Sequence, residues 1–365
     1  MTVHTGVAAA ALALAVASMP ADKRYSVARS AAVVELRDAA TRTRVSILPT
    51  VGNITFDMQV NGHGILWWPF ASVDAFESQP KMSGIPFIGP WANRLDEQAF
   101  YANGRRYPFD MRIGNVRGPI PIHGFLTTTS AWRLVDSGAD DRSAWATSRL
   151  DFASHPEWMA QWPFAHTIEM THRLQDGALR VETAIANTGT DPMPIAIGFH
   201  PYVRVTDAPR PEWTFSIAAR THWLLAANKI PTGETEPIER LIDPGSPPRL
   251  RDYNLDDVFT DLVRDPRGRA TMRVAGRRQR VDVELGPNYR AAVVWAPNPA
   301  DTGRGSQRLT GPPVPVDRGD FICFEPMAGI TDALNLAHRG VYRDLQYVAP
   351  GGEWRESFWI RPGGF

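Results

Sequence analysis

From about Ser30 onward, apolar and polar side chains alternate with a period of two, in short runs separated by Gly, Pro, Asn and Asp. This pattern constrains the fold more than any other feature of the chain. Successive side chains on a strand point to opposite faces, so such a run is a strand with one face buried, whereas a buried helix face repeats near 3.6 residues. The clearest case is Thr167–Ala186, where Ile168, Met170, Leu179, Val181 and Ile185 keep alternate positions around Gln175-Asp176-Gly177. Both the alternation and the turn residues predict a β-hairpin there. Further strands are readable at Ala32–Leu36, Val45–Leu48, Ile54–Val60, Trp132–Val135, Trp145–Phe152, Trp213–Ala218, Met272–Val274, Val281–Leu285, Ala291–Trp295, Phe321–Phe324 and Glu353–Ile360. Helical spacing is confined to short pieces near Leu255–Val263 and Thr331–Leu336. Many short strands with so little helix predict an all-β protein, a large antiparallel β-sandwich, and the absence of strand–helix alternation removes doubly wound and α/β-barrel folds.

The strands continue on both sides of the proline clusters at Pro244–Pro248 and Gly311–Pro315, so these read as loops within one domain, placed at residues 28–363. With 43% hydrophobic residues among 365, the chain can bury a large core. Lys plus Arg equals Asp plus Glu at 39 each, without a long run of one sign, which argues against nucleic acid or an anionic membrane as partner and suits a small, mostly uncharged ligand. The lone Cys323, flanked by Phe321, Ile322 and Phe324, excludes an internal disulfide and reads as a small buried hydrophobe. The nine histidines show no metal-ligand spacing, so no metal is expected. Residues Gly6–Ala17 are apolar, too short to span a bilayer, and end in the Ala15-Val16-Ala17 cleavage pattern. Residues 1–24 are therefore expected to be a signal peptide and the protein periplasmic or secreted; the lack of Lys or Arg ahead of the run leaves a cytoplasmic alternative. No later stretch is long and apolar enough for a transmembrane helix.

Several stretches could carry chemistry. Ala196-Ile197-Gly198-Phe199-His200-Pro201-Tyr202 ends an apolar run in an imidazole held between an aromatic ring and a proline, which suits a fixed proton donor and equally a partly buried histidine. In Gly84-Ile85-Pro86-Phe87-Ile88-Gly89-Pro90-Trp91-Ala92-Asn93-Arg94 the stiffened backbone presents an amide and a guanidinium side by side, able to hold vicinal hydroxyls or a developing oxyanion, or simply forming a rigid turn. His123 in Pro119-Ile120-Pro121-Ile122-His123-Gly124-Phe125 precedes a glycine that leaves room for a ligand, though a loop histidine without a role fits the same residues. In Asn254-Leu255-Asp256-Asp257-Val258-Phe259 the adjacent carboxylates fit a helix N-terminus or a carboxylate accepting from sugar hydroxyls. Finally, Phe321-Ile322-Cys323-Phe324-Glu325-Pro326 ends an apolar strand in one glutamate, whose pKa burial would raise and a cationic neighbour lower.

Taken in order, these stretches resemble the aldose 1-epimerase (galactose mutarotase) family over nearly the whole mature chain. The matching residues are Asn93-Arg94 followed by Phe100 and Asn103-Gly104-Arg105-Arg106-Tyr107, then His123-Gly124, His200-Pro201-Tyr202, Leu255-Asp256-Asp257-Val258-Phe259, and Glu325-Pro326 with Asp332-Ala333-Leu334-Asn335. The resemblance implies a galactose mutarotase-like β-supersandwich that binds an aldose in an open cleft and interconverts its anomers without a cofactor. It implies His200 as the general acid toward the ring oxygen and Glu325 as the base toward the anomeric hydroxyl. It implies Asn93, Arg94, His123 and Asp256 as substrate-binding residues. The chain departs from the family at Asp257, where many members have histidine, and at Val203, where an aromatic is common.

The chemistry agrees with that implication. Opening a pyranose requires a proton to leave O1 while another reaches O5, so one acid and one base, expected on opposite sides of the ring, suffice at about 10² to 10⁴ in rate each. The working unit is expected to be a monomer or weak dimer. Three rivals remain: a hexose-6-phosphate 1-epimerase drawing on Arg94, Arg105, Arg106 and Arg204; a non-catalytic carbohydrate-binding protein; and a glycoside hydrolase using Asp256 and Glu325 as its carboxylate pair.

Overall fold

The computed structural model describes residues 23–30, 32–112, 116–243, 247–298, 307–308 and 319–365. Residues 1–22 of the expected signal peptide and most of the two proline-rich loops lie outside them. The alternating runs become antiparallel ladders. One sheet of eight strands runs in the order Arg133–Ala139, Ala144–Asp151, His166–Gln175, Ala178–Asn187, Glu353–Gly363, Arg280–Leu285, Ala270–Ala275, Thr214–Ser216. The hairpin around Asp176-Gly177 is its centre, with Gln175 paired to Ala178 and both turn residues at positive φ.

A second sheet runs in the order Pro231–Pro237, Thr221–Leu225, Tyr253–Thr260, Ala291–Ala296, Ile322–Met327, Gly198–Phe199, Phe87–Ile88. Tyr202–Val203 adds a further pairing to Ile322–Met327. A third sheet of five strands, from Tyr25–Arg29 to His63–Gly64, adds its buried face to the same core.

The main core lies between these layers. Ile168, Met170, Val181, Ile185, Phe358 and Ile360 of the first sheet meet Leu255, Phe259, Val294, Ile322 and Phe324 of the second, each essentially without solvent exposure. Because strand side chains alternate, the same three strands of the second sheet send Asp256, Trp295, Cys323 and Glu325 to the opposite face. Core packing on one face thus fixes which residues appear on the other.

The helical reading near Leu255–Val263 is corrected: Tyr253–Thr260 is a strand in the interior of the second sheet, paired on both sides. The adjacent carboxylates are not a helix cap either. Each faces a different side of the strand, and Asp257, on the core side, is held by His222 through Oδ1 and Nε2 at 2.9 Å. A carboxylate in a core-facing position disguised the strand's alternation, and its partner is 35 residues away in sequence. The other short helix is present as Ala333–His338. Cys323 is buried.

Candidate active site

Ladder register brings His200 and Glu325 together. Gly198 pairs with Met327, while Tyr202 pairs with Cys323 and Val203 with Ile322, so both ends keep one register and His200 falls across from Glu325. Between the two short ladders the chain breaks from the sheet at His200-Pro201, since proline has no N–H to give, and the His200 N–H donates instead to the Pro86 carbonyl at 3.1 Å. His200 Nε2 and Glu325 Oε1 are 3.0 Å apart and both side chains are buried. The two groups are thus in mutual contact, facing one another across the strand register.

The Asn93-Arg94 turn lies beside this pair. Asn93 sits at φ 56° and His123 at φ 60°, and the two clasp each other: the His123 N–H donates to the Asn93 carbonyl at 2.9 Å, and the Asn93 N–H donates to His123 Nδ1 at 3.3 Å. Because Nδ1 accepts, neutral His123 carries its proton on Nε2. Gly124 is required here, since a Cβ at its φ of +59° would stand 2.0 Å from the Gly89 carbonyl oxygen. On the other side, the Asp332 N–H donates to the Arg94 carbonyl at 3.1 Å, and the Asp332 carboxyl accepts from the Asp96 N–H at 2.9 Å and the Asn335 amide at 2.7 Å. Arg94 is therefore held from both flanks. Its buried guanidinium reaches Asp256 Oδ2 at 3.4 Å, and Lys229, at the tip of the next hairpin, approaches the same oxygen at 3.9 Å.

Burial dominates the electrostatics. It pushes the Glu325 carboxyl well above the usual carboxylate range, helped by the neighbouring Asp256 charge and opposed by Arg94 and the Asn93 amide. It pushes His200 down to about 3, and the Arg94 charge adds to the effect. Both directions favour the neutral forms, so the resting pair shares one proton carried on Glu325 and accepted by His200. Glu325 Oε2 and Asn93 Nδ2 are buried without a hydrogen-bond partner of good geometry, and unsatisfied buried polar atoms of this kind ask for a functional explanation.

His200, Glu325, Asn93, Arg94, His123 and Asp256 all line one cleft of about 530 Å³. A second cavity of about 580 Å³, between the hairpin at 99–108 and the helix Ala333–His338, contains none of them. Among the described residues no group of three or more His, Cys, Asp or Glu could hold a metal ion. The sequence did not single out Lys229, Trp295 or Trp67. Trp295 was readable only as a strand end, yet it registers opposite Asp256 and so faces the cleft. Lys229 stands in a turn at φ 66°, and only that turn's position over Asp256 gives it meaning.

A desolvated His–Glu pair and an oriented arginine thus lie together in an open cleft on an antiparallel β-sandwich. The aldose 1-epimerase family model matches residues 33–361, and the chain belongs to that family, whose members are isomerase-type enzymes. Among solved structures it is similar to a galactose mutarotase-like protein from Clostridium acetobutylicum, at 19% identity and a TM-score of 0.75 over 93% of this chain and 98% of that one. It is also similar to galactose 1-epimerase from Lactobacillus acidophilus, at 14% identity and a TM-score of 0.67 over 91% and 95%. An aldose epimerase homologue from C. elegans matches at 17% identity and a TM-score of 0.66 over 88% and 96%. At these identities the likenesses establish the shared fold.

Proposed function

We propose that the protein interconverts the α and β anomers of a free aldose by acid–base ring opening, with His200 and Glu325 exchanging the protons. The observation that carries this reading is the direct contact between the two buried groups. The oxygens that must lose and gain protons, O1 and O5, are bonded to the same carbon, so an acid and a base side by side can serve both. When a sugar replaces the mutual contact, the shared proton passes from Glu325 to His200; the imidazolium so formed gives its proton to O5 and the carboxylate left behind takes the proton of O1. The ring C–O bond breaks and an aldehyde forms. Ring opening therefore leaves both groups neutral, the state that burial favours. Rotation about C1–C2 and reversal of the transfers deliver the other anomer, and the pair returns to its starting protonation.

Arg94, Asp256, His123 and Asn93 supply the donors and acceptors that fix the hydroxyls of the ring. Of the four arginines a phosphate could have used, only Arg94 lines the cleft; Arg105 and Arg106 are exposed on the hairpin at 99–108, and Arg204 donates to the Gly64 carbonyl. Lys81 also lines the cleft, but Arg94 is already paired there with Asp256, and the two carboxyls of Asp256 and Glu325 favour an uncharged sugar. An exported protein meeting free sugars outside the cytoplasm fits the same proposal. Polarimetry of freshly dissolved α-D-glucose or α-D-galactose is expected to show faster approach to equilibrium, and Glu325→Gln to lose about 10² to 10⁴ of the acceleration. An unchanged rate in that variant removes the proposed base.

A further inference from the structure

We infer that the cavity between the hairpin at 99–108 and the helix Ala333–His338 is a second binding site, and that its ligand is a carboxylated pyranose, such as a uronic acid unit. The cavity holds about 580 Å³, against about 530 Å³ for the cleft with the acid–base pair, and the two share no lining residue. A uronic acid has about 13 non-hydrogen atoms and fills on the order of 200 Å³ if each takes roughly half of a water's liquid share. It therefore enters with water to spare.

The walls combine aromatic rings with an uncovered rim. Tyr101 of the hairpin lies face to face with His338 of the helix, 3.9 Å between centroids and 2° between planes, so one stacked pair bridges the two elements. Tyr342 lines the cavity as a buried ring, and Tyr347 lines it 47% exposed. Among the described residues few large apolar side chains are exposed, and two of them, Val341 and Tyr347, belong to the stretch that forms this wall. Apolar surface gathered in water at one cavity marks a binding feature. Gly104 and Gly340, each in a turn at φ 73°, have nothing within 4 Å of where a Cβ would stand, so no described residue is packed over either turn.

The charge on the wall narrows the class. Arg343 lines the cavity, is exposed, and makes no hydrogen bond or ion pair with any described residue. No Asp or Glu is among the described lining residues; Asp344 follows Arg343 in the chain but is not part of the wall. The nearby Arg339 differs, being held by Asp332 at 3.1 Å and Asp96 at 3.6 Å. Asn103 spends its amide N–H on the Pro192 carbonyl at 2.8 Å and keeps Oδ1 as an acceptor. A ligand that suits all of these has an apolar ring face for the tyrosines, hydroxyls for Asn103 and a carboxylate for the guanidinium fork. This is the reverse of the cleft, where Asp256 and Glu325 favour an uncharged sugar.

The test titrates methyl β-D-glucuronide and methyl β-D-glucoside, whose rings cannot open, into the full chain by ligand-observed NMR. It uses wild type, Arg343→Gln and Ala337→Trp, the last filling the cavity from the helix, with a thermal melt to verify folding. The expected result is that wild type binds the glucuronide about tenfold more tightly than the glucoside, as a charge-assisted contact provides. Arg343→Gln removes that preference and Ala337→Trp abolishes glucuronide binding, while both keep the polarimetric rate with α-D-glucose within about twofold. No glucuronide binding by wild type, an unchanged preference in folded Arg343→Gln, or unchanged binding in folded Ala337→Trp each overturns the inference. A polarimetric loss that parallels the loss of glucuronide binding also overturns it, since the glucuronide would then occupy the cleft. Glucuronide binding as expected without any polarimetric acceleration by wild type would instead remove the anomer-exchange reading and leave this one standing.

Discussion

The buried His222–Asp257 pair behind the cleft makes a demanding prediction about stability. Asp257 is 1% exposed, on the core-facing side of the strand that carries Asp256, and its Oδ1 is bonded to His222 Nε2 at 2.9 Å, while His222 Nδ1 faces Glu236 at 3.0 Å. Replacing His222 by leucine leaves the Asp257 carboxylate in the core with its cationic partner gone. Breaking one side of a buried ion pair costs about 3–5 kcal/mol, because the remaining charge keeps its desolvation cost without its partner. The double variant His222→Leu with Asp257→Leu removes both charges and is expected to lie within about 1 kcal/mol of wild type, since an apolar replacement of the whole pair is often neutral. Urea unfolding of the four proteins in the cycle measures the coupling.

The pH dependence of the same pair has a definite sign. Although burial opposes it, the two carboxylates together raise the His222 pKa above its ordinary 6.5. The folded state then binds the proton more tightly than the unfolded chain does. The pair's contribution is fully present below pH 6.5 and is lost as pH rises through the raised value, so wild type should lose stability on the alkaline side and the double variant should not. Additive single losses in the double variant, or identical alkaline behaviour of the two proteins, would refute the pairing as the reason a carboxylate tolerates this position.

Other expectations follow from the remaining buried groups. Desolvation alone holds His172 down at about 3, against 6.5 in the unfolded chain, so the unfolded state takes up the proton first as pH falls. From pH 8 to pH 5 wild type should lose about 2 kcal/mol through this residue, and His172→Leu should lack that loss in urea titrations; parallel curves would show that the imidazole is not buried neutral. The Asp332 carboxyl holds the Asp96 N–H, two residues past Arg94, so Asp332→Ala should loosen that turn and lower kcat/KM in polarimetry by about tenfold, in addition to a stability cost of about 1–3 kcal/mol. Loss of stability with unchanged kinetics would make Asp332 a purely structural residue.

How far the chain could be read depended on the range of the interactions involved. Period-two alternation and the turn at Asp176-Gly177 are local, and they specified the strands, the hairpin and the antiparallel sandwich before any coordinates. The strand at Tyr253–Thr260 was misread because its core-facing Asp257 is neutralised by a residue on another strand. Motif residues likewise named the cleft's polar set, since each sits in a short stretch of constrained backbone. What the sequence could not contain was register. Only the pairing of Gly198 with Met327 and of Tyr202 with Cys323 sets His200 against Glu325, in direct contact. Only the pairing of Asp256 with Trp295 turns an ordinary strand-end tryptophan toward the cleft. Alternation tells which side chains share a face of one strand. Which faces meet is decided by long-range packing of the core, and that packing exists only in the folded chain.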